Sequence, residues 1–221
     1  MNSNPNLEEI GTVIRVSNLL RNNLAIRKFF ELDFIMTNFP VPEKSEELCR
    51  VINETDDEFP IDELLGKYIA EENRIIIYSE AIRQISNILK VTESQITYIV
   101  ELHEHAHAAV YQGIPSELIV DKQNNYLVNQ KTLLGTISPE IHERLAQLIT
   151  WQVLQGEMEN ETNAEFKEWY VDTLKVFDIL ESKQPPCYHI TGLKTIETKR
   201  VLSAYAHLKS LNNEQIWLKG L

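Results

Sequence analysis

The sequence predicts a mainly helical α+β fold with a small β-sheet, and two observations carry that prediction. From residue 80 onward, apolar residues recur at the three- and four-residue spacing of amphipathic helices. Just before them, two apolar runs flank the polar tripeptide Glu71-Glu72-Asn73, a pattern typical of a β-hairpin. With 221 residues, 43% of them hydrophobic, the chain can bury a core without disulfides.

The first 63 residues are predicted to form a region of their own. Residues 7–35 mix helical and alternating patterns, and we expect them to be mostly helical. Residues 40–63 contain three prolines and many acidic residues, which is typical of an irregular surface linker. We therefore predict two parts: residues 1–63, partly helical with an acidic linker, and residues 64–221, the main domain with C-terminal helices.

The hairpin is expected to end in the strand Arg74–Tyr78 and to lead into two helices. Residues 80–90 have helical periodicity. A second helix should begin after Thr92, because Gln95 three residues later completes a capping box. Gly113 is predicted to end this second helix.

Three further helices are predicted in the second half of the chain. Ser138 as N-cap and Pro139 at the first helical position indicate the start of one, and Gly156 is expected to lie just past its end. Periodicity predicts two more, over 161–182 and 194–211.

Charge and composition indicate which binding partners and which cellular compartment to expect. The chain has 21 basic and 33 acidic residues, a net charge of −12, which argues against unaided nucleic-acid binding. No apolar stretch is long enough for a membrane span, and the N-terminus does not have the pattern of a signal peptide. Two distant cysteines, Cys49 and Cys187, do not imply a disulfide. We therefore expect a cytoplasmic protein with no nucleic-acid or membrane partner.

Three of the six histidines lie within five residues, in the segment His103–His107 of the second predicted helix. Helical spacing places His103 and His107 on the apolar stripe, with their Cβ atoms about 6 Å apart. Two imidazoles at that separation can converge on one ion. His105 falls on the opposite side of the helix and is predicted to face solvent.

The same five residues read His-Glu-x-x-His, a motif whose residues have distinct chemical roles. Two neutral imidazoles one turn apart can hold Zn²⁺, and Glu104 between them is placed to take a proton from a water activated by the ion. The alternative is a pair of core histidines bonded to backbone carbonyl groups.

A third ligand is expected from the helix that begins at Pro139. There, Glu143 lies on a stripe with Ala146, a small residue that would let this helix approach the histidine helix closely. Two alternatives stay open: His142 as the ligand, or Glu143 as a first-turn acid that is favoured by the helix dipole. His189 and His207 are further candidates.

These residues resemble the zincin metallopeptidases, specifically their Glu-ligand, gluzincin-like branch. The resemblance is strongest over residues 64–156, and rests on His103–His107 followed by Glu143 on a second helix. It implies a zincin-like fold in which His103, His107 and Glu143 bind Zn²⁺ and Glu104 is the general base. It also implies an edge strand that pairs with an extended substrate, here Arg74, Ile75, Ile76, Ile77 and Tyr78.

The sequence departs from the gluzincin pattern at two positions. Gln147 stands four residues after Glu143, where an acidic residue is usual, and we expect it to bond a ligand imidazole as a glutamine can. His105 stands where an apolar residue is common. A donor for the oxyanion is also expected, and Tyr188 in the rigid segment 184–190 is the leading candidate, ahead of His189 and His207.

The sequence thus predicts a zinc-dependent hydrolase, a metallopeptidase acting on a peptide or protein substrate. The alternative is a non-catalytic interaction protein that keeps the zincin fold, with a structural or vestigial metal site. A third reading is a helical domain without metal. A structural zinc site is normally closed by a fourth protein ligand and needs no general base, which separates it from a catalytic site.

Overall fold

A computed structural model describes residues 34–35, 40–49, 61, 64–112, 114–115, 139–191 and 194. Across these residues the chain is mainly helical with a small β-sheet, which confirms the predicted α+β class. The predictions for residues 7–33, for Gly113 and Ser138, and for 195–211 lie outside the described residues. The predicted division of the chain after residue 63 stays a prediction.

Five short strands form two separate sheets in the described part of the chain. Their bounds are β1 Phe34–Ile35, β2 Pro42–Ser45, β3 Gly66–Ile69, β4 Arg74–Tyr78 and β5 Ile114–Pro115. β1 and β5 pair with each other antiparallel. The other sheet has the order β2-β4-β3, with β2 parallel and β3 antiparallel to β4. β3 and β4 confirm the predicted hairpin, and Asn73 in its turn has a φ of 51°, which asparagine tolerates better than most residues.

The described helices are α1 Ser79–Leu89, α2 Glu93–Gln112, α3 Pro139–Asn160 and α4 Ala164–Glu181, followed by a short 3₁₀ helix, Pro186–Tyr188. The predicted cap of α2 is confirmed, because the Thr92 hydroxyl bonds the Gln95 side chain at 2.6 Å and accepts from its backbone N–H at 3.4 Å. α3 begins at Pro139 as predicted.

α2 is the central element of the core. It packs against α1, α3, α4 and the β3–β4 hairpin. Its Leu102, Ala106 and Ala109 are fully buried, as are Ile149 of α3 and Phe177 of α4. Because neighbours cover this helix on several sides, polar side chains in its middle turns are held in the interior, where each needs a partner.

Two predictions of local structure are wrong. α3 does not end before Gly156 but continues to Asn160, since the Glu157 carboxylate accepts from the Tyr170 hydroxyl at 3.3 Å and Met158 packs on the core. These contacts with α4 outweigh the roughly 1 kcal/mol cost of glycine in a helix. The segment 40–63 is also not wholly irregular, because residues 42–45 form β2 along β4.

Candidate metal site

α2 supplies the first half of the site through His103, Glu104 and His107. His103 and Glu104 are buried, and only 12% of the His107 side chain is exposed. The two imidazole rings lie 4.7 Å apart between centroids, in an edge-to-face arrangement. The predicted convergence of His103 and His107 is therefore present in the structure.

α3 supplies the second half through Glu143. Fully buried alanines, Ala106 on α2 and Ala146 on α3, belong to the core in which these helices pack together. One carboxylate oxygen, Glu143 Oε2, lies 3.0 Å from His103 Nε2 and 3.3 Å from His107 Nε2. The two Nε2 atoms are 3.1 Å apart. Each of the three residues thus offers one ligand atom, and these atoms all lie within 4.8 Å of one another. His103, His107 and Glu143, called the metal-binding group below, could therefore hold a metal ion.

The spacing of these three atoms fits the size of a zinc ion. In a tetrahedral site with metal–ligand distances of about 2.0 to 2.1 Å, ligand atoms lie about 3.3 to 3.4 Å apart. The observed separations of 3.0 to 3.3 Å are close to this, so small side-chain shifts suffice. Imidazole nitrogen with carboxylate oxygen is also a donor set that zinc accepts.

Gln147 lies directly behind His103, as predicted. Its Oε1 is 3.0 Å from His103 Nδ1, so the ring nitrogen donates and the amide oxygen accepts. A neutral ring with its proton on Nδ1 has a lone pair on Nε2, the atom that faces Glu143. On its other side the Gln147 amide lies 3.5 Å from Gln184 Oε1. Gln147 therefore orients the imidazole in the manner a metal ligand requires.

Electrostatics couples Glu143 to the two imidazoles. Burial by itself would raise the pKa of Glu143, but His107 and His103 lower it well below its usual range. Burial alone would lower the pKa of His107, but the Glu143 carboxylate raises it above its ordinary value. The carboxylate is thus ionised at neutral pH, and it favours positive charge at the point where the three ligand atoms meet.

Glu104 lies in the same cavity but takes no part in the three-atom group. Burial is the largest cause that raises its pKa, while His103 and His107 act in the opposite direction. The backbone of Tyr68 on β3 also bonds the Glu104 carboxylate. A carboxyl group with a raised pKa beside a cation-favouring cluster is well suited to moving a proton.

Tyr188 reaches the site from the 3₁₀ helix. Its ring centroid is 5.8 Å from that of His103, and its hydroxyl lies near the Glu143 carboxylate. Burial and the nearby Glu143 charge raise the pKa of Tyr188 well above its ordinary value, so the hydroxyl keeps its proton. The structure therefore brings this sequence-predicted residue into the site as a hydrogen-bond donor.

The site opens into a cavity of about 420 Å³. Its polar lining includes His103, His107 and Glu143 together with Glu104 and Tyr188. Apolar side chains from the segment before β3 and from α2 and α4 also line it: Ile61, Leu64, Leu65, Ile99 and Leu180. A cavity with a few convergent polar groups and an apolar wall is typical of a ligand-binding site.

The prediction that His105 faces solvent is wrong. This side chain is 1% exposed, and its Nδ1 and Nε2 lie 2.6 Å and 3.1 Å from the carbonyl oxygens of Glu101 and Pro40. Pro40, just before β2, lies against the side of α2 opposite His103 and His107. Because α2 is covered on both sides at this turn, it has no solvent-facing side there. The His105 ring contacts both its own helix, at Glu101, and Pro40.

The remaining candidate histidines take other positions. His142 lines the cavity and stacks on Tyr111 with ring centroids 5.0 Å apart, while its ring is 6.4 Å from that of His107. His189 bonds the backbone carbonyl of Gln184 at 2.9 Å. His207 lies outside the described residues. Of the two that the structure describes, His142 lines the cavity and His189 does not.

The prediction that Arg74–Tyr78 is an edge strand is wrong. This strand, β4, is central, because β2 occupies one side and β3 the other. Sequence reasoning missed β2 because Pro-Glu-Lys-Ser is short and polar, with no alternating apolar pattern. In the described part of the chain β3 is the strand at the cavity, and Gly66, Lys67 and Tyr68 line it.

Comparison with protein-family models, with curated proteins and with solved structures found no match for this chain. Within the described residues, no helix combines the length and apolar character that crossing a membrane requires.

Proposed function

We propose that this protein is a zinc-dependent hydrolase of the metallopeptidase type. One observation carries the proposal: a buried His103, His107 and Glu143 group that could hold a metal ion shares a cavity with the buried carboxyl group of Glu104. This combination supports a catalytic site over a structural one, because a carboxyl group beside an open metal site can act as a general base.

His103 and His107 would hold the ion through their Nε2 atoms, and Glu143 would hold it through a carboxylate oxygen. When bound, zinc acts as a Lewis acid that polarises a carbonyl group and lowers the pKa of water to about 7. Gln147 holds the imidazole of His103 with its Nε2 facing the ligand group.

Glu104 transfers a proton from the attacking water to the leaving nitrogen of the substrate. As general base it removes a proton from the attacking water while the water oxygen bonds the carbonyl carbon of the substrate. As general acid it then returns this proton to the leaving nitrogen when the carbon–nitrogen bond breaks. Tyr188 keeps its phenolic proton and donates to the carbonyl oxygen as negative charge develops there.

A peptide is the proposed substrate class. β3 lies along the cavity and, among the described strands, pairs only with β4. An extended chain can add to such a strand through backbone hydrogen bonds. This proposal replaces β4 with β3 as the strand that contacts the substrate.

The test is the substitution Glu104→Gln in the full chain, with Glu93→Gln, an exposed glutamate at the start of the same helix, as control. Wild type and both variants should bind about one zinc per chain, because Glu104 is not in the ligand set. Hydrolysis of a pooled fluorogenic peptide library should fall by about 100-fold or more in Glu104→Gln only.

Two other outcomes would contradict the proposed function. Wild-type turnover in Glu104→Gln would disprove its role as the general base. Zinc binding by a wild-type protein that hydrolyses no peptide would favour the non-catalytic alternative.

A further inference from the structure

Gly66, the first residue of β3, lies where α2 packs against the sheet. It is buried and pairs with Ile77 of β4. A Cβ atom on Gly66 would lie 2.5 Å from Val100 Cγ1, 2.9 Å from Glu104 Oε1 and 3.0 Å from Glu104 Cγ. Real Cβ atoms do not approach other heavy atoms so closely, so no other residue fits here without a shift of its neighbours. Glycine in a strand often marks such a close approach.

The contacts connect this glycine to the carboxyl group, not merely to the core. Two of the three nearest atoms belong to Glu104, and one of them is a carboxylate oxygen. The third belongs to Val100, one helical turn earlier on the same face of α2. Two residues further along β3, the backbone of Tyr68 bonds the Glu104 carboxylate. β3 therefore supplies free space at residue 66 and a hydrogen-bond donor at residue 68.

We propose that Gly66 is a positioning residue for Glu104, because its missing side chain leaves the space in which the carboxylate lies against β3. A side chain at this position would push Glu104 away from the backbone of Tyr68 and out of line with the metal-binding group. The catalytic consequence rests on the proposed function, whereas the effect on the position of Glu104 does not.

The chain offers a matched glycine for the test. Gly66→Ala is compared with Gly156→Ala in α3, where an added Cβ would meet nothing within 4 Å. In zinc-loaded full-length protein, Gly66→Ala should lower kcat for a cleaved peptide by about 100-fold, the cost of misplacing a catalytic group by about 1 Å. Its KM and zinc affinity should stay within about threefold, since none of the three atoms nearest to the added Cβ belongs to a proposed metal ligand. Gly156→Ala should match wild type in all three.

A second variant separates positioning from packing. In Gly66→Ala/Val100→Ala the closest clash is removed, so the protein should fold even where the single variant does not. The contact with Glu104 remains, and kcat should stay low. Recovery of wild-type kcat in this double variant would show that Gly66 acts through packing alone, and would overturn the proposal.

The last readout does not depend on turnover. In metal-free full-length protein labelled with ¹³C at the glutamate carboxyl carbons, the Glu104 resonance is identified by its loss in Glu104→Gln. It should shift in Gly66→Ala and not in Gly156→Ala. An unshifted resonance in folded Gly66→Ala would overturn the proposal, whether or not the protein hydrolyses peptides. Absence of wild-type turnover with a shifted resonance would disprove only the proposed function.

Discussion

Gln147 permits a sharp test of the metal site, because it contacts a proposed ligand without being one. Its Oε1 accepts from His103 Nδ1 at 3.0 Å, and both side chains are buried. Gln147→Leu removes the acceptor and keeps a side chain of similar bulk. In the metal-free variant the imidazole is free to turn toward another partner, whereas zinc binding would hold its Nδ1–H against an apolar group.

The expected loss follows from the energy of an unsatisfied donor. Leaving a buried N–H group without a partner costs about 1 to 3 kcal/mol. At about 1.4 kcal/mol per factor of ten, this corresponds to a loss of about 5- to 150-fold in zinc affinity. Hydrogen-bond partners of metal ligands in other proteins contribute about 10- to 100-fold, which is the same range.

The assay is competition for zinc between the full chain and a chromophoric chelator at neutral pH. Gln155→Leu is the control, because Gln155 is on the same helix but bonds Glu159 at 3.0 Å and does not line the cavity. Its zinc affinity should equal that of wild type. A zinc affinity of Gln147→Leu within about twofold of wild type, less than 0.5 kcal/mol, would refute the role of this hydrogen bond.

Two predictions concern stability, measured as the free energy of unfolding in urea. Burial raises the pKa of Glu101 from 4.5 to about 7, so the folded state keeps a proton that the unfolded chain loses, and the associated stability is lost as pH rises through about 7. The free energy of unfolding of Glu101→Gln should therefore exceed that of wild type by about 2 to 3 kcal/mol at pH 8 and by less than about 1 kcal/mol at pH 5. An equal difference at both pH values would contradict the cost of burying the ionised Glu101 carboxylate. His105→Ala should destabilise the protein by about 2 to 4 kcal/mol and leave zinc affinity within about threefold, because its ring fills the space between the Glu101 and Pro40 carbonyl groups and its one N–H group donates to one of them. A loss below about 0.5 kcal/mol, as at exposed positions, would contradict the position of His105.

Local sequence signals predicted the helices that carry the site. The capping box at Thr92 set the start of α2, and Pro139 set the start of α3. Helical spacing then brought His103 and His107 to one face, and a small residue near Glu143 indicated close approach of the two helices. These inferences succeeded because each depends on residues within one or two turns.

The errors concern contacts between distant segments. Helical spacing correctly placed His105 opposite His103, but it could not show that Pro40 lies against that side. The parallel pairing of β2 with β4 joins segments about 30 residues apart in sequence. The polar sequence of β2 has no pattern that predicts this pairing. The resemblance to zincins implies that β4 is an edge strand, and β2 takes the place beside it that a substrate would need.

Two contributions to the site, from Gly66 and Tyr68, could not be predicted from the sequence. Gly66 looks like any glycine at the start of a hairpin, and only the approach of α2 reveals its role. Tyr68 contributes through its backbone, which no side-chain pattern can indicate. Tyr188 was chosen for its polar ring in a rigid loop, and its contact with Glu143 depends on how that loop follows α4.

The most direct measurement is a crystal structure of the zinc-loaded full chain with anomalous diffraction recorded on both sides of the zinc absorption edge. We expect one anomalous peak, about 2.0 to 2.1 Å from His103 Nε2, His107 Nε2 and a Glu143 carboxylate oxygen, with no fourth protein ligand. No peak at this group, or a zinc ion held by His142 in place of Glu143, would contradict the proposed site.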